Sequence, residues 1–337
     1  MHETQDVGAP REEARAPLRA PGRSGAADEH PLLRFARNRL RRELDALAAY
    51  APPAGEAPDP EAVHRLRIAA RRLRVWLGAF DALLPPPLAD DAKAALRAFA
   101  RELGALRDLD VHVELLPGYV AATAGVAADD LGRYALELQR ARAEARAAAA
   151  NVFVGSRFEK LRATLAALEA AVESDEGEAP LASLAELASR RLRKRIKRFR
   201  RLGREIVENA TAESLHRLRI EAKRLRYELE LFAPAYPSLA PYAKSLKSMQ
   251  DLLGEHQDAV AASGNLERYA LGVLEGSAGR AAEIGTETLD KRHAFALGRL
   301  SQAQLDHADD VRRRFPAAWR TLDKALKRAR KEIAELA

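Results

Sequence analysis

The sequence of 337 residues predicts an all-α protein made of two similar helical halves. The chain uses Ala, Leu and Arg heavily and has only 5% aromatic residues. This composition is typical of helices, because the abundant side chains lose little conformational freedom there. Apolar residues recur every three or four positions between proline-rich breaks, and several motifs occur twice in the same order. We therefore expect two four-helix bundles from an internal duplication, related by a pseudo-two-fold axis.

Breaks in the helical pattern divide the first half into helices. Residues 1–30 combine Pro, Gly, Ala and alternating charges without a helical period, so we expect a disordered tail. Prolines at 52–60 and the PPP segment at 85–87 end helices, and a further stop is expected at Pro117-Gly118. The predicted first repeat covers 31–173, with helices near 31–50, 60–84, 88–115 and 129–171, the last interrupted at 152–155.

The second half begins after an acidic segment, which we interpret as a linker at 174–180. The predicted second repeat covers 181–335. Its helices are expected near 180–208, 211–233, 237–262, 263–306 and 308–335.

Four motifs recur between the halves in the same order. The offset between copies is 152 residues at a histidine motif, 150 at a Leu-Gly motif and its following Asp, and 157 at an Arg-Phe pair. Slowly drifting offsets of this kind indicate a duplicated unit of about 150 residues. The paired positions are Arg39-Leu40-Arg41-Arg42 and Arg191-Leu192-Arg193-Lys194 (also at 152), His64 and His216, Leu103-Gly104 with Asp108 and Leu253-Gly254 with Asp258, and Arg157-Phe158 and Arg314-Phe315.

Charge and composition restrict the classes of partner. The formal net charge of +7 favours a polyanionic partner. The absence of cysteine excludes disulfides, thiolate metal sites and a cysteine nucleophile. No apolar run approaches the roughly 18 residues that span a bilayer, so we expect no membrane insertion and a cytoplasmic location. The sequence leaves the oligomeric state open.

A basic stripe lies along one helix of each repeat. In HRLRIAARRLR at 64–74, a helical wheel places the leucines and Ala70 on one arc and the cations together beside it. The register recurs in HRLRIEAKRLR at 216–226. Like charges at this spacing destabilise a helix by about 0.2–0.5 kcal/mol per pair, so an external anion fits the pattern. The stripe residues are His64, Arg67, Arg71 and Arg74 in the first repeat and His216, Arg219, Lys223 and Arg226 in the second.

A neighbouring basic helix in each half extends this prediction. Ten of the fifteen residues at 190–204 are basic, yet an apolar seam through Ile196 and Phe199 still allows bundle packing. We expect the two halves together to form a basic central cleft or pore. A solvated face, or pairing with carboxylates of a neighbouring helix, is the alternative interpretation. The cations expected along one flank of the seams are Arg193, Lys197, Arg200 and Arg204, with Arg34, Arg37 and Arg41 in the first half.

These motifs resemble those of the CHAD family, the conserved histidine α-helical domain proteins. The resemblance rests on the two histidine motifs, on LGALRDLDV at 103–111 and LGEHQDAV at 253–260, and on SRF and RRF near the end of each half. It covers the chain from about 31 to 333. It implies two four-helix bundles that bind inorganic polyphosphate in a basic cleft through the stripe residues, and association with polyphosphate granules. The second Leu-Gly motif continues differently from the first, so local contacts are expected to differ between halves.

Other function classes have weaker support in the sequence. Sequence-nonspecific nucleic-acid binding is the main alternative, because a basic groove attracts any polyanion, although interleaved aromatic residues for base stacking are scarce. A membrane-surface role ranks third. Motifs for nucleotide hydrolysis, serine hydrolases and zinc proteases are absent, and so is the E-x-E-x-K signature of the triphosphate-hydrolysing domain that accompanies some CHAD domains.

We therefore expect no enzymatic activity, no cofactor and no metal. Asp108 and Asp110 could form a metal site, but an Asp–Arg pair within a bundle is the favoured interpretation. The remaining histidines lack ligand spacing and are expected at the surface or as satisfied interior groups. They are His112, His256, His293 and His307.

Overall fold

Every regular element in the described part of the chain is a helix. We describe residues 30–53, 55–174, 183–280 and 291–336 of a computed structural model, without the side chains between 272 and 292. The predicted tail and linker lie almost wholly outside these residues. The helices are α1 (Pro31–Tyr50), α2 (Pro60–Ala79), α3 (Pro86–Ala122), α4 (Gly132–Val152), α5 (Ser156–Glu173), α6 (Leu184–Glu208), α7 (Ala212–Phe232), α8 (Ala240–Arg280) and α9 (Lys291–Ala334).

Local sequence signals fix several helix starts. Proline occupies the first helical position of α1 and α2, where no backbone N–H is needed. The Asp59 side chain accepts a hydrogen bond from Ala62 N at 2.7 Å and so caps α2. Ser183 and Glu186 form a reciprocal capping box at the start of α6. The predicted interruption at 152–155 is confirmed, because α4 ends at Val152 and α5 begins at Ser156.

Three predicted helix ends are wrong. Helix α3 continues through Pro117 to Ala122, and α8 is one helix across the break expected after residue 262. Helix α9 likewise continues across the break expected between residues 306 and 308. An interior proline costs a helix about 3 kcal/mol. The turn around Pro117 is nevertheless held, because Leu116, Tyr119 and Val120 pack in an apolar cluster with α4, α8 and α9. Burial in tertiary contacts thus outweighs the local stop signal.

The helices pack as two groups of four. Helices α1, α2, α3 and α5 contact one another around the first group, and α6, α7, α8 and α9 do so in the second. One continuous apolar core joins the groups where α2 meets α7. The Phe232 ring lies 6.2 Å from Phe35 and 6.4 Å from Phe80. Helices α2 and α7, which carry the basic stripes, therefore lie at the junction of the two groups.

The first group contains an extra helix, α4, which links the two halves at a distance from this junction. Tyr134 and Leu138 of α4 pack with Leu266 of α8 and with Leu297 and Leu300 of α9. The described helices otherwise follow the same order of contacts in each half. The internal duplication itself stays a prediction from the repeated motifs.

Candidate functional site

The apolar arcs of α2 and α7 determine which way the stripes face. Leu66, Leu73 and Leu77 on α2 are completely buried, and so are Leu218 and Leu225 on α7. Burying a leucine contributes about 1.5–3 kcal/mol, so these residues fix the rotation of both helices. The core arc predicted from the helical wheel is therefore observed in both helices.

Four stripe cations come together between α2 and α7. We call Arg67, Arg71, Arg219 and Lys223 the central cluster. Burial lowers the pKa of Lys223, and the positive charges of Arg219, Arg71 and Arg67 lower it further, to about 7. Burial also lowers the pKa values of Arg67 and Arg219, and the charge of Arg71 adds to both effects. Cations from both halves are thus crowded at one place.

Two aspartates from α3 and α8 lie nearest to this cluster. Asp258 interacts electrostatically with Arg219 and Lys223, and Asp108 with Arg67 and Arg219. Burial raises the pKa of Asp258, Arg219 and Lys223 oppose the increase, and Asp108 adds to it. Among the described residues, no direct ion pair links either aspartate to a cluster cation. The carboxylates therefore offset only part of the positive charge.

The repeated Leu-Gly motif makes room for the two buried arginines. Arg67 Nη1 donates a hydrogen bond to the carbonyl oxygen of Ala100 on α3 at 2.9 Å. A Cβ atom on Gly104 would lie 2.9 Å from this Nη1, and one on Gly254 would lie 3.7 Å from Arg219 Nη2. The sequence pattern identified these glycines only as part of the repeat. Each repeat contains one such glycine and one such arginine, Gly104 with Arg67 and Gly254 with Arg219, and this recurrence could have predicted their contact.

The two signature histidines have different neighbours. Both are exposed. Partial burial of its side chain nevertheless lowers the pKa of His64, and the charge of nearby Arg107 lowers it further. His216 Nδ1 lies 2.7 Å from Gln257 Oε1, and because an amide oxygen only accepts, Nδ1 donates this hydrogen bond. Residues Arg107 and Gln257 occupy matching positions after the Leu-Gly motif, so the expected local difference between halves is observed.

The last stripe residues, Arg74 and Arg226, differ in their partners. Arg74 is exposed, with a pKa lowered by burial of part of its side chain and by the charges of Arg97 and Arg71. Arg226 instead donates to Glu230 at 3.0 Å and lies over the Tyr227 ring, 4.6 Å from its centroid. The guanidinium of Arg71 lies over the same ring at 5.5 Å. Tyr227 thus lies beside both Arg226 and the central cluster.

The flank cations of α1 face α5. Arg37 donates through Nε to the carbonyl oxygen of Val172 at 2.9 Å and through Nη2 to that of Glu173 at 3.0 Å. Arg41 forms an ion pair with the Glu173 carboxylate at 2.7 Å, and Arg34 on this helix is exposed. Arg37 and Arg41 thus hold the end of α5. The structure does not bring the flank cations of α1 to the central cluster.

The flank cations of α6 face α9 in the same way. Arg200 is buried and makes two hydrogen bonds to Asp323, at 2.6 and 3.2 Å, and Arg204 lies 3.7 Å from the same carboxylate. Arg193 and Lys197 are exposed. Arg200 and Arg204 thus have an ion-pair partner on α9, and a role of this flank in the basic site stays a prediction. A helical wheel places Arg200 relative to the apolar seam of α6, but it does not show which neighbouring helix packs against this side of α6.

The other sequence candidates have structural roles. Asp110 is buried and accepts from Arg142 Nε at 2.7 Å, which is the Asp–Arg pair favoured over a metal site. His112 Nε2 lies 2.7 Å from the Tyr134 hydroxyl. His256 and His293 are buried, and His307 is exposed. The described residues contain no group of three or more potential metal ligands, and none of their helices is long and apolar enough to cross a bilayer.

Curated relatives are similar to this chain over part of their length. The uncharacterized protein MT2285 of Mycobacterium tuberculosis is 29% identical over 276 residues, which cover 80% of this chain and 50% of that protein. The uncharacterized protein Rv2226 of the same species is 35% identical over 118 residues, which cover 35% of this chain and 19% of that protein. The chain thus spans half the length of these relatives or less.

Solved structures and a family model agree on the domain. The crystal structure of the CHAD domain from the plant Ricinus communis superposes with a TM-score of 0.59 at 26% identity, covering 89% of this chain and 97% of that one. PptA from Streptomyces chartreusis shares the fold, with a TM-score of 0.58 at 22% identity, covering 86% and 98%. The CHAD domain model matches residues 38–267. With more than half of its length matched, the chain belongs to the CHAD domain family.

Proposed function

We propose that this CHAD protein binds inorganic polyphosphate, without hydrolysing it, in a basic cleft centred on the central cluster. The observation that carries the proposal is the convergence of four cations from two helices, with Asp108 and Asp258 as the carboxylates that interact with them among the described residues. Burying like charges together is unfavourable unless an opposite charge compensates. A chain of phosphates supplies that charge, and arginine offers forked hydrogen bonds to its oxygens.

The margins of the cluster extend this proposed site. His64 and His216 lie one helical turn before Arg67 and Arg219, and Arg74 follows Arg71 by three residues. Arg193 and Lys197 remain candidate contacts, because both are exposed and form no ion pair with any described residue. Association with polyphosphate granules in the cytoplasm is part of the proposal, and it rests on the family resemblance.

Polyphosphate is favoured over nucleic acid by the scarcity of aromatic platforms. Single-stranded nucleic acids commonly stack their bases on exposed aromatic side chains. Tyr227 is the aromatic residue beside the central cluster, and it is buried, with Arg71 and Arg226 over its ring. A ligand in this place would meet cations instead of a ring surface. Competition tests the distinction: excess DNA should displace labelled polyphosphate much less effectively than unlabelled polyphosphate does, and equal displacement would favour nucleic acid.

Charge reversal at the central cluster tests the site directly. Replacing Arg67, Arg71, Arg219 and Lys223 by glutamate should abolish polyphosphate binding, because the ligand would meet four carboxylates. Binding is measured by isothermal titration calorimetry, and helix content by circular dichroism. A matched control reverses four exposed cations of α9, which changes the net charge equally. These control residues are Arg320, Lys324, Arg328 and Arg330.

The control distinguishes binding at the central cluster from a general attraction of polyphosphate to the protein's net positive charge. The proposal expects the α9 variant to retain most of the affinity while the cluster variant loses it, with both variants helical. Equal losses in the two variants, or retained affinity in the cluster variant, would contradict the central site. If the reversed cluster prevents folding, Arg71→Gln with Lys223→Gln provides the milder comparison.

A further inference from the structure

A cationic cavity lies beside the junction of the two helix groups, with Arg226 in its lining. Its volume is about 500 Å³, within the range of about 300–1,000 Å³ that is usual for small-molecule sites. We call it the lateral cavity. Its charged lining residues come from four helices of both halves: Arg39, Arg42, Arg72, Arg226, Glu230, Lys244 and Lys247.

Carboxylates balance only part of this charge. Glu230 accepts from Arg226 at 3.0 Å and from Arg72 at 3.5 Å. Glu43, behind the lining, accepts from Arg39 at 3.3 Å. Lys247 forms an ion pair with Asp251 at 2.9 Å.

Two lining cations, Arg42 and Lys244, are exposed and make no ion pair with any residue in the described ranges. The cavity therefore keeps an excess of positive charge after its internal pairs are formed.

Buried donors in the lining lack acceptors. The Nε–H groups of Arg39, Arg72 and Arg226 are buried without a hydrogen-bond partner, and the Arg39 side chain is only 10% exposed. An unsatisfied buried donor costs about 1–3 kcal/mol. These Nε–H groups have almost no accessible surface, so a ligand in the cavity does not contact them directly; they show that the internal carboxylates leave the lining arginines incompletely paired. A ligand meets the excess positive charge at the exposed side chains of Arg42 and Lys244. Phosphate oxygens suit such a surface, because they accept charge-assisted hydrogen bonds from arginine and lysine.

The rest of the lining limits the kind of ligand. It consists of small residues just after α7 and at the start of α8, namely Ala233, Pro234, Ala240 and Ala243. A pocket lined by cations and small apolar residues suits a compact ligand with few charged groups better than a long chain.

We propose that the lateral cavity binds a di- or triphosphate group, supplied either by a short free phosphate chain or by a nucleoside triphosphate. This site is distinct from the central cluster, and the proposal does not depend on polyphosphate binding there.

The test uses the full chain and titrates sodium tripolyphosphate and ATP in separate calorimetric experiments. Arg42→Glu with Lys244→Glu should weaken binding at the lateral cavity at least about tenfold, since two cations facing the phosphate become repulsive. Both residues are exposed, so the substitutions bury no carboxylate. The control, Arg320→Glu with Lys324→Glu, changes the net charge equally on exposed positions of α9 and should leave this binding unchanged.

A third variant separates this proposal from the central site. Arg71→Gln with Lys223→Gln should keep tripolyphosphate binding at the lateral cavity. Complete loss of tripolyphosphate and ATP binding in this variant would overturn the lateral site and leave the central one standing. Equal affinity and stoichiometry in the Arg42/Lys244 variant and its control would overturn it too. Displacement by an equal concentration of sulfate would also overturn it, because a single tetrahedral anion would then suffice.

The two ligand arms identify the source of the phosphate group. Binding of tripolyphosphate but not ATP assigns the cavity to free phosphate chains. Comparable binding of both ligands, with loss of both in the Arg42/Lys244 variant, assigns it to the triphosphate group shared by the two. Either result supports the proposed chemistry.

Discussion

At the scale of single residues, Lys223 is the member of the central cluster whose protonation state changes near neutral pH. Its neighbours are cations of α2 and α7, Arg67, Arg71 and Arg219, with Asp258 of α8 as the opposing charge. Burial and these cations bring its pKa from 10.5 to about 7. The neutral side-chain amine is therefore poised to gain a proton when an anion arrives, because a nearby negative charge favours the charged ammonium form.

Polyphosphate binding should therefore take up protons. At pH 8 the free protein has Lys223 mostly neutral, so binding should take up nearly one proton per site, and affinity should fall as pH rises above 7. Calorimetry in buffers of different ionisation enthalpy measures the uptake. At pH 8 His64 is neutral in the free protein, because its pKa is lowered. Lys223→Arg keeps the charge without titrating and should abolish the uptake; the same uptake in this variant would contradict the assignment.

The same pKa affects stability without ligand. Below pH 7 both the folded and the unfolded states carry the Lys223 charge, and the folded state bears the cost of burying it. Between pH 7 and 10.5 the unfolded state binds more protons than the folded state, so this cost is relieved as pH rises. Lys223 therefore contributes least to stability at acidic and neutral pH, where polyanion binding would offset its charge.

At the scale of elements, close packing of α6 against α9 sets the role of the flank cations. A Cβ atom on Gly203 would lie 1.9 Å from the Trp319 ring, so the glycine permits a very close approach of the two helices. Phe199 packs against the same ring at 5.5 Å between centroids. Arg200 and Asp323 lie on this interface and form its buried ion pair. The basic run of α6 is thus partly a packing surface.

Truncation of Arg200 should accordingly affect stability and not polyphosphate binding. Arg200→Ala leaves Asp323 partly buried with weaker compensation, and loss of one member of a buried pair costs about 3 kcal/mol. Arg193→Ala, an exposed position on the same helix, should change the free energy of unfolding by less than about 0.5 kcal/mol. Urea denaturation measures both. A large loss of polyphosphate affinity in folded Arg200→Ala protein would contradict this expectation and show that Arg200 contributes to binding.

At the scale of the whole molecule, the junction between the helix groups brings together charges that are far apart in sequence. Helices α2 and α7 share the apolar core, which includes Phe80 and Phe232, and cations from both stripes lie close together. Neither half alone supplies more than half of the central cluster. Joining the halves thus creates a charge density that a single amphipathic helix does not reach.

This charge density should make polyphosphate binding strongly dependent on salt. Four phosphate contacts, each releasing about 0.7 counterions as on a flexible single strand, predict a loss of roughly 50-fold in affinity between 50 and 200 mM salt. Titrations over this range measure the slope. Arg71→Gln should reduce the slope, because one contact is lost, whereas Arg320→Gln on exposed α9 should not. A salt-insensitive complex would contradict phosphate recognition by the cluster.

Much of the molecule was predictable from sequence because local patterns determine it. Periodic leucines and proline breaks predicted most helices, and the wheel predicted the buried arc of α2 and α7. The repeated histidine motifs indicated the family. The helix stop predicted at Pro117 is wrong, and the pairing of Arg200 with Asp323 was not predicted, because contacts with distant helices decide both.

The sequence by itself thus determined the helical class and the composition of each stripe, because both depend on spacings within one helix. Tertiary structure alone decided that Lys223 lies among three arginines and that Arg72 of α2 reaches Glu230 of α7. It also decided that Arg39 and Lys244 line one cavity. These features depend on distances between helices, which follow from the packing of many side chains at once, so no periodicity along the chain encodes them.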